Sequence, residues 1–168
     1  MILAWLALSF NARGQESIRP SDIHCHQGRK VQLPIVISND GSLPIVGISF
    51  TLALPEGVTL VTDDDEPLYE LNSDRLNPQL FTVFTRQDDS GAWVFRIITN
   101  SATAVLSGTE GKVMTLTLAV AENMAAGNYN ISLTKNKLSV RKVGITIQSV
   151  PLADAASTLT VADAIMGM

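Results

Sequence analysis

Hydrophobic residues recur at every second position along most of this chain. Between residues 46 and 54, Val46, Ile48, Phe50, Leu52 and Leu54 alternate with Gly47, Ser49, Thr51 and Ala53. An extended segment with that period has one apolar face and one small, polar face. Pro55 cannot donate to a sheet ladder and Glu56-Gly57 supplies a turn, so the strand ends there and another begins over 58–62. The same alternation fills 31–38, where Pro34 predicts an edge position or a bulge. Asn39-Asp40-Gly41-Ser42 is a turn that makes these two strands neighbours.

Further along, 81–86 and 92–99 flank Gln87-Asp88-Asp89-Ser90-Gly91, the form of a β-hairpin. Trp93, Phe95 and Ile97 share one face of its second strand, and Val94, Arg96 and Ile98 share the other. Phe81 and Phe84 fall on opposite faces, so one of them points away from the core. Residues 112–121 form a strand with Met114, Leu116, Leu118 and Val120 inward. A single turn over 122–127, closed by Gly127, leads to a strand marked by Tyr129, Ile131 and Leu133. Residues 138–140 and 143–147 read as a further bent strand or hairpin interrupted near Gly144, and 157–161 as the last strand, with Leu159 and Val161 inward. Residues 68–78 are weakly patterned around a short strand at 69–71, and 100–111 form a long connection. About nine short strands at turn-punctuated spacing, with no amphipathic helix, predict an all-β fold: one antiparallel β-sandwich.

Composition narrows the function classes. A hydrophobic fraction of 46% and a charged fraction of 17% over 168 residues describe one globular domain. Net charge is −4 with Lys and Arg scattered, which argues against a nucleic-acid partner, since phosphate binding needs a basic patch. A lone cysteine, Cys25, excludes an internal disulfide framework. The first ten residues are apolar but too short to span a bilayer, and no other segment has the length to do so. With Ala12-Arg13-Gly14 offering small residues for cleavage before Gln15, residues 1–14 read as an export signal. The expected organisation is then a polar, strand-poor linker over 15–29, the sandwich over 30–161 and a tail over 162–168. Its expected location is outside a bacterial cell, secreted or on the surface.

Candidate chemistry is sparse. Asp63, Asp64 and Asp65 are the metal candidates, because calcium favours carboxylate oxygens. They alternate with no spacers and include no turn glycine, so the run reads as a solvated acidic loop and no cofactor is expected. His24-Cys25-His26, if extended, would point both imidazoles the same way, yet zinc would need a further ligand that the sequence does not identify. A nucleophilic Cys25 would need a base and an orienting group, so this triplet reads as inert linker. With no paired-carboxylate setting and no phosphate-cradling loop, no enzyme is expected. For carbohydrate binding, which stacks aromatics on sugar faces, the candidates are Tyr69, Phe84 and Trp93. Trp93 shares its face with Phe95 and Ile97 and reads as core as well, as do Phe50 and Tyr129. Protein binding needs only a flat sheet face or a strand edge, and the outward Thr, Ser and Ala residues supply one.

The run Val31-Gln32-Leu33-Pro34-Ile35-Val36-Ile37-Ser38-Asn39, followed by Gly47-Ile48-Ser49-Phe50-Thr51-Leu52 and Leu54-Pro55-Glu56-Gly57-Val58, resembles the opening of a cohesin-type domain. Gly111-Lys112-Val113-Met114-Thr115-Leu116-Thr117-Leu118 and Ala126-Gly127-Asn128-Tyr129-Asn130-Ile131 are similar to the closing half of that family, in particular to cohesin-like modules of secreted Bacteroidetes proteins. The resemblance spans about 31–161. It implies a jelly-roll sandwich related to carbohydrate-binding modules, without catalysis, in an exported modular protein. Cohesins bind dockerins through one sheet face, so the implied role is adhesion or scaffold assembly with a dockerin-like or surface protein as partner. The alternative is a carbohydrate-binding module for a polysaccharide. No contact residue is carried over.

Overall fold

The computed structural model describes residues 16–143 and 146–164. The expected export signal at 1–14, the interruption at Gly144 and the end of the tail lie outside them. Among the described residues there are fourteen strands and no helix. In chain order they are β1 (Ser17–Pro20), β2 (Ile23–His26), β3 (Lys30–Ser38), β4 (Ile45–Ala53), β5 (Val58–Leu60), β6 (Thr62–Asp63) and β7 (Glu66–Pro67). Then follow β8 (Tyr69–Leu71), β9 (Phe81–Gln87), β10 (Trp93–Thr99), β11 (Lys112–Val120), β12 (Gly127–Arg141), β13 (Ile147–Pro151) and β14 (Ala155–Ala162).

Two sheets face each other as a jelly-roll sandwich. The smaller runs β1-β3-β11, and beyond β11 lie β5 and β8 end to end, pairing Leu118–Val120 and Met114–Leu116. The larger runs β2-β14-β12-β4-β10-β9, with β13 continuing the β14 position along the second half of β12. All pairs are antiparallel except β2 with β14. The expected segment at 46–54 is the centre of the larger sheet, hydrogen-bonded to β10 on one side and β12 on the other. Its inward Phe50 lies opposite Phe95, the rings stacked at 5.1 Å, and Leu33, Ile35, Ile37, Leu116 and Leu118 close the core from the smaller sheet.

Four expectations change. Residues 15–29 are not strand-poor: β1 pairs with β3 and β2 with β14, burying Ile18, Ile23 and Cys25. These strands are only four residues each, so partners elsewhere in the chain, not their own pattern, hold them extended. Pro34 lies within β3, which is flanked by β1 and β11 and is no edge strand; the bulge alternative holds nearby, where β11 shifts register between Lys112 and Met114 opposite Val36 and Ile35. The Pro34 carbonyl accepts Ser21 N (3.0 Å) just past the end of β1, so the side lacking a donor meets the end of a neighbour, not its ladder. The acidic run is not an open loop: Thr62 pairs with Pro67 and Asp63 with Glu66 around a two-residue turn, with Asp64 and Asp65 at φ 50° and 66°. That is the signature of a type I′ hairpin, which aspartate tolerates better than bulkier residues. Finally, the segments marked by Tyr129 and by Leu138 are one fifteen-residue strand, and the hairpin beyond it pairs Leu138 with Val150.

Arg75 anchors the irregular connections. It is buried, and its Nε donates to Ser107 O (2.8 Å) while Nη1 donates to Ile37 O and Gly111 O (both 2.7 Å) and Nη2 to Asn39 Oδ1. Ser107 N returns a bond to Arg75 O (2.9 Å), so one side chain ties the 100–111 connection to the end of β3. Burial pulls this guanidinium below its usual pKa, opposed by the negative charge of Glu110.

Candidate functional site

The outer face of the larger sheet is built by register. On β4 the outward residues are Gly47, Ser49 and Thr51, and Ser49 lies opposite Arg96 on β10 and Lys137 on β12. Arg96 in turn lies opposite Phe84 on β9, and Lys137 opposite Pro151 on β13. One row therefore reads Phe84, Arg96, Ser49, Lys137, Pro151 across five strands. The next row contains Arg86, Val94 and Thr51, and the row on the other side Ile98, Gly47, Ser139 and Ser149.

Lys137 reaches this face because of a β-bulge. Leu133 points inward, and strict alternation would send residues 135, 137 and 139 inward with it. Instead Thr134 pairs with Thr51 and Lys137 with Ser49, so β12 spends one residue more than β4 over that interval. Lys135 takes φ 52°, and buried Asn136 donates Nδ2 to Leu133 O (3.1 Å) and Ala153 O (3.0 Å). Beyond the bulge Leu138 and Val140 are inward, and Lys137 and Ser139 outward. Nothing in the expected strand at 129–134 announced this, but the jump of inward residues from odd to even numbers was its signal.

The result is a shallow depression of about 790 Å³. Its floor is small, with Ser49, Ser139 and Ser149, and beside them Gly47 lies so close to Ser139 that a Cβ there would meet Ser139 Cβ at 3.0 Å. Its rims are apolar and uncovered, Phe84 at 55% exposure and Ile147 at 57%. Among the described residues, no Asp, Glu, His, Cys, Asn or Gln lines it. Carboxylates, imidazoles, thiols and side-chain amides are thus all missing from the depression among the described residues, and Lys137 is its one amine.

The structure separates the three carbohydrate candidates. Phe84 is exposed on the face just described, while Phe81 is buried, as their opposite parity requires. Trp93 is half-buried against the core and borders a different depression of about 390 Å³ with Leu54, Thr59 and Gln87, between β5 and the β9–β10 turn. Tyr69 is on β8, in the smaller sheet. No platform of two aromatics forms from them. Among the described residues, no group of three or more His, Cys, Asp or Glu side chains is placed to hold a metal ion, including Asp63, Asp64 and Asp65. His24 and His26 do share one exposed side of β2, and His26 Nδ1 lies 2.7 Å from Asp163 O. Cys25 points the other way; burial pushes its thiol pKa up, opposed by Arg29, and Sγ donates weakly to His26 O and Arg29 O. Such a thiol is a core side chain, not a nucleophile.

No family model and no curated protein matches the sequence. Solved structures do match in fold. The seventh ScaB type I cohesin from Pseudobacteroides cellulosolvens superposes with a TM-score of 0.69 at 18% identity, over 91% of this chain and 96% of that one. A type I cohesin–dockerin complex from Clostridium thermocellum gives 0.66 at 11%, over 89% and 100%. A non-cellulosomal cohesin from the hyperthermophilic archaeon Archaeoglobus fulgidus gives 0.62 at 15%, over 89% and 92%. At these identities the likeness is one of fold. The chain has the cohesin fold.

Proposed function

We propose that this chain is a non-catalytic interaction module, acting outside the cell in adhesion or scaffold assembly, that holds a dockerin-type protein against the outer face of its larger sheet. The observation that carries the reading is the face itself: two uncovered apolar rims, Phe84 and Ile147, around a floor of Ser49, Ser139 and Ser149. Exposed apolar residues bordering a recess on a sheet suit protein contact, and no carboxylate, imidazole or thiol is described between them to suggest catalysis. Solved structures of the same fold that carry a dockerin partner support the partner class. The apolar opening of the chain supports the extracellular setting.

The test is calorimetric titration with a panel of dockerin modules, using wild type and a Phe84→Ser/Ile147→Ser double variant. Expected is saturable one-to-one binding that weakens at least about tenfold in the variant, the loss typical of removing central apolar anchors, with melting temperature unchanged. Retention on insoluble polysaccharide with no dockerin bound at any concentration would replace this reading with the glycan one.

A further inference from the structure

The open face carries positive charge on an acidic chain. The protein has a net charge of −4, yet Arg86, Arg96 and Lys137 are exposed on this face and the depression is lined by no carboxylate. None of the three side chains makes an ion pair or hydrogen bond among the described residues. Glu66 accepts from Thr85 Oγ1 (2.8 Å), next to Arg86 along β9, and pairs with none of them. The ion pair found among the described residues, Arg19 with Glu110, lies away from this face.

Register sets the spacing. Arg96 and Lys137 flank Ser49 from the two adjacent strands, which places their backbones about 9.5 Å apart, twice the distance between strands. Arg86 is the diagonal neighbour of Arg96, about 7–8 Å away. Carboxylates two turns apart on a helix are separated by about 10.5 Å, which matches the Arg96–Lys137 interval. The small residue between them, Ser49, leaves room for a helix backbone to approach the floor.

The geometry points to an acidic partner surface: we infer that this face takes an amphipathic helix whose apolar stripe meets Phe84 and Ile147 and whose flanking carboxylates meet Arg96, Lys137 and Arg86. This rests on the reading of the face as a protein-docking surface and adds the sign and spacing of the partner's charge. Exposed ion pairs contribute little singly, so the effect is selectivity between partners more than raw affinity.

The experiment uses two synthetic amphipathic helical peptides with one apolar stripe, differing only in Glu or Lys at flanking positions seven apart, titrated by fluorescence anisotropy into the full chain at low salt. Expected is a preference of about tenfold for the Glu peptide, from two or three pairs switched between attraction and repulsion. Added salt shrinks that preference, because charges about a Debye length apart are screened. The Arg96→Glu/Lys137→Glu double variant reverses it. Lys30→Glu, which makes the same kind of charge change on the smaller sheet, retains the preference. Equal binding of both peptides, binding of neither, or equal loss in the Lys30→Glu control would overturn the inference. Equal peptide binding together with loss of dockerin binding in the Phe84→Ser/Ile147→Ser variant would leave the docking reading standing and remove only the charge assignment.

Discussion

Replacing Arg75 by Met keeps an apolar stem of similar length and removes the guanidinium that ties three segments together. Three backbone carbonyls, of Ser107, Ile37 and Gly111, lose a charged donor at 2.7–2.8 Å, and Asn39 Oδ1 loses a fourth. A hydrogen bond to a charged group contributes about 1.5–3 kcal/mol net, so three of them sum to roughly 5–9 kcal/mol. Against that stands the cost of keeping a cation out of water, the same cost that lowers the Arg75 pKa, and Met removes it. Gly111 O also keeps its bond from Ile37 N (3.1 Å). The net destabilisation is then about 3–5 kcal/mol, comparable to breaking a buried charge network. For a domain of this size that lowers the melting temperature by roughly 10–15 °C. Urea unfolding followed by far-UV circular dichroism measures it. A variant within about 1 kcal/mol of wild type would refute the reasoning, because the 100–111 connection would then be held by its own turns and not by Arg75.

Two further outcomes follow from local geometry. Lys135→Gly is expected to stabilise the protein by about 0.5–1 kcal/mol, since glycine adopts the left-handed conformation without the cost a side chain carries, whereas Lys135→Val destabilises by about 1–2 kcal/mol; chemical denaturation midpoints of the pair, moving in opposite directions, check the bulge. Glu110 accepts from Ser38 Oγ and pairs with Arg19, interactions that hold its carboxyl below the usual range. A depressed carboxylate contributes stability that is complete above its unfolded-state pKa and is lost as pH falls through the folded one. The stability difference between wild type and Glu110→Gln is therefore expected at neutral pH and to vanish in strong acid, and a pH-independent difference would contradict the assignment.

Much of the sandwich was legible because its central strands have one buried face, so period two shows directly in Phe50, Phe95 and Leu116. The exposure of Phe84 was legible for the same reason. β1 and β2 were not, although Ile18 with Pro20 and Ile23 with Cys25 do alternate. Four residues carry too little pattern, and what makes them strands is pairing with β3 and with the distant β14, information no local window holds. Arg75 was invisible because it sits in chain with no period at all.

The binding face was legible strand by strand and illegible as a face. Arg96 could be assigned outward from Val94 and Ile98 alone, yet its neighbours are fixed by register, and register depends on turns and bulges far from it. Lys137 shows how much rests on one such feature. Were Lys135–Asn136 flattened into regular alternation with no residue lost, Lys137 would turn inward and Leu138 outward, burying a cation and stripping the core of a fully buried side chain. The bulge is thus held in place by the core as much as by Asn136. Leu138 and Val140 can be inward only if Lys137 and Ser139 are outward. Core packing on one side of β12 therefore sets the charge presented on the other, and the phase switch between Leu133 and Leu138 is where the sequence records both.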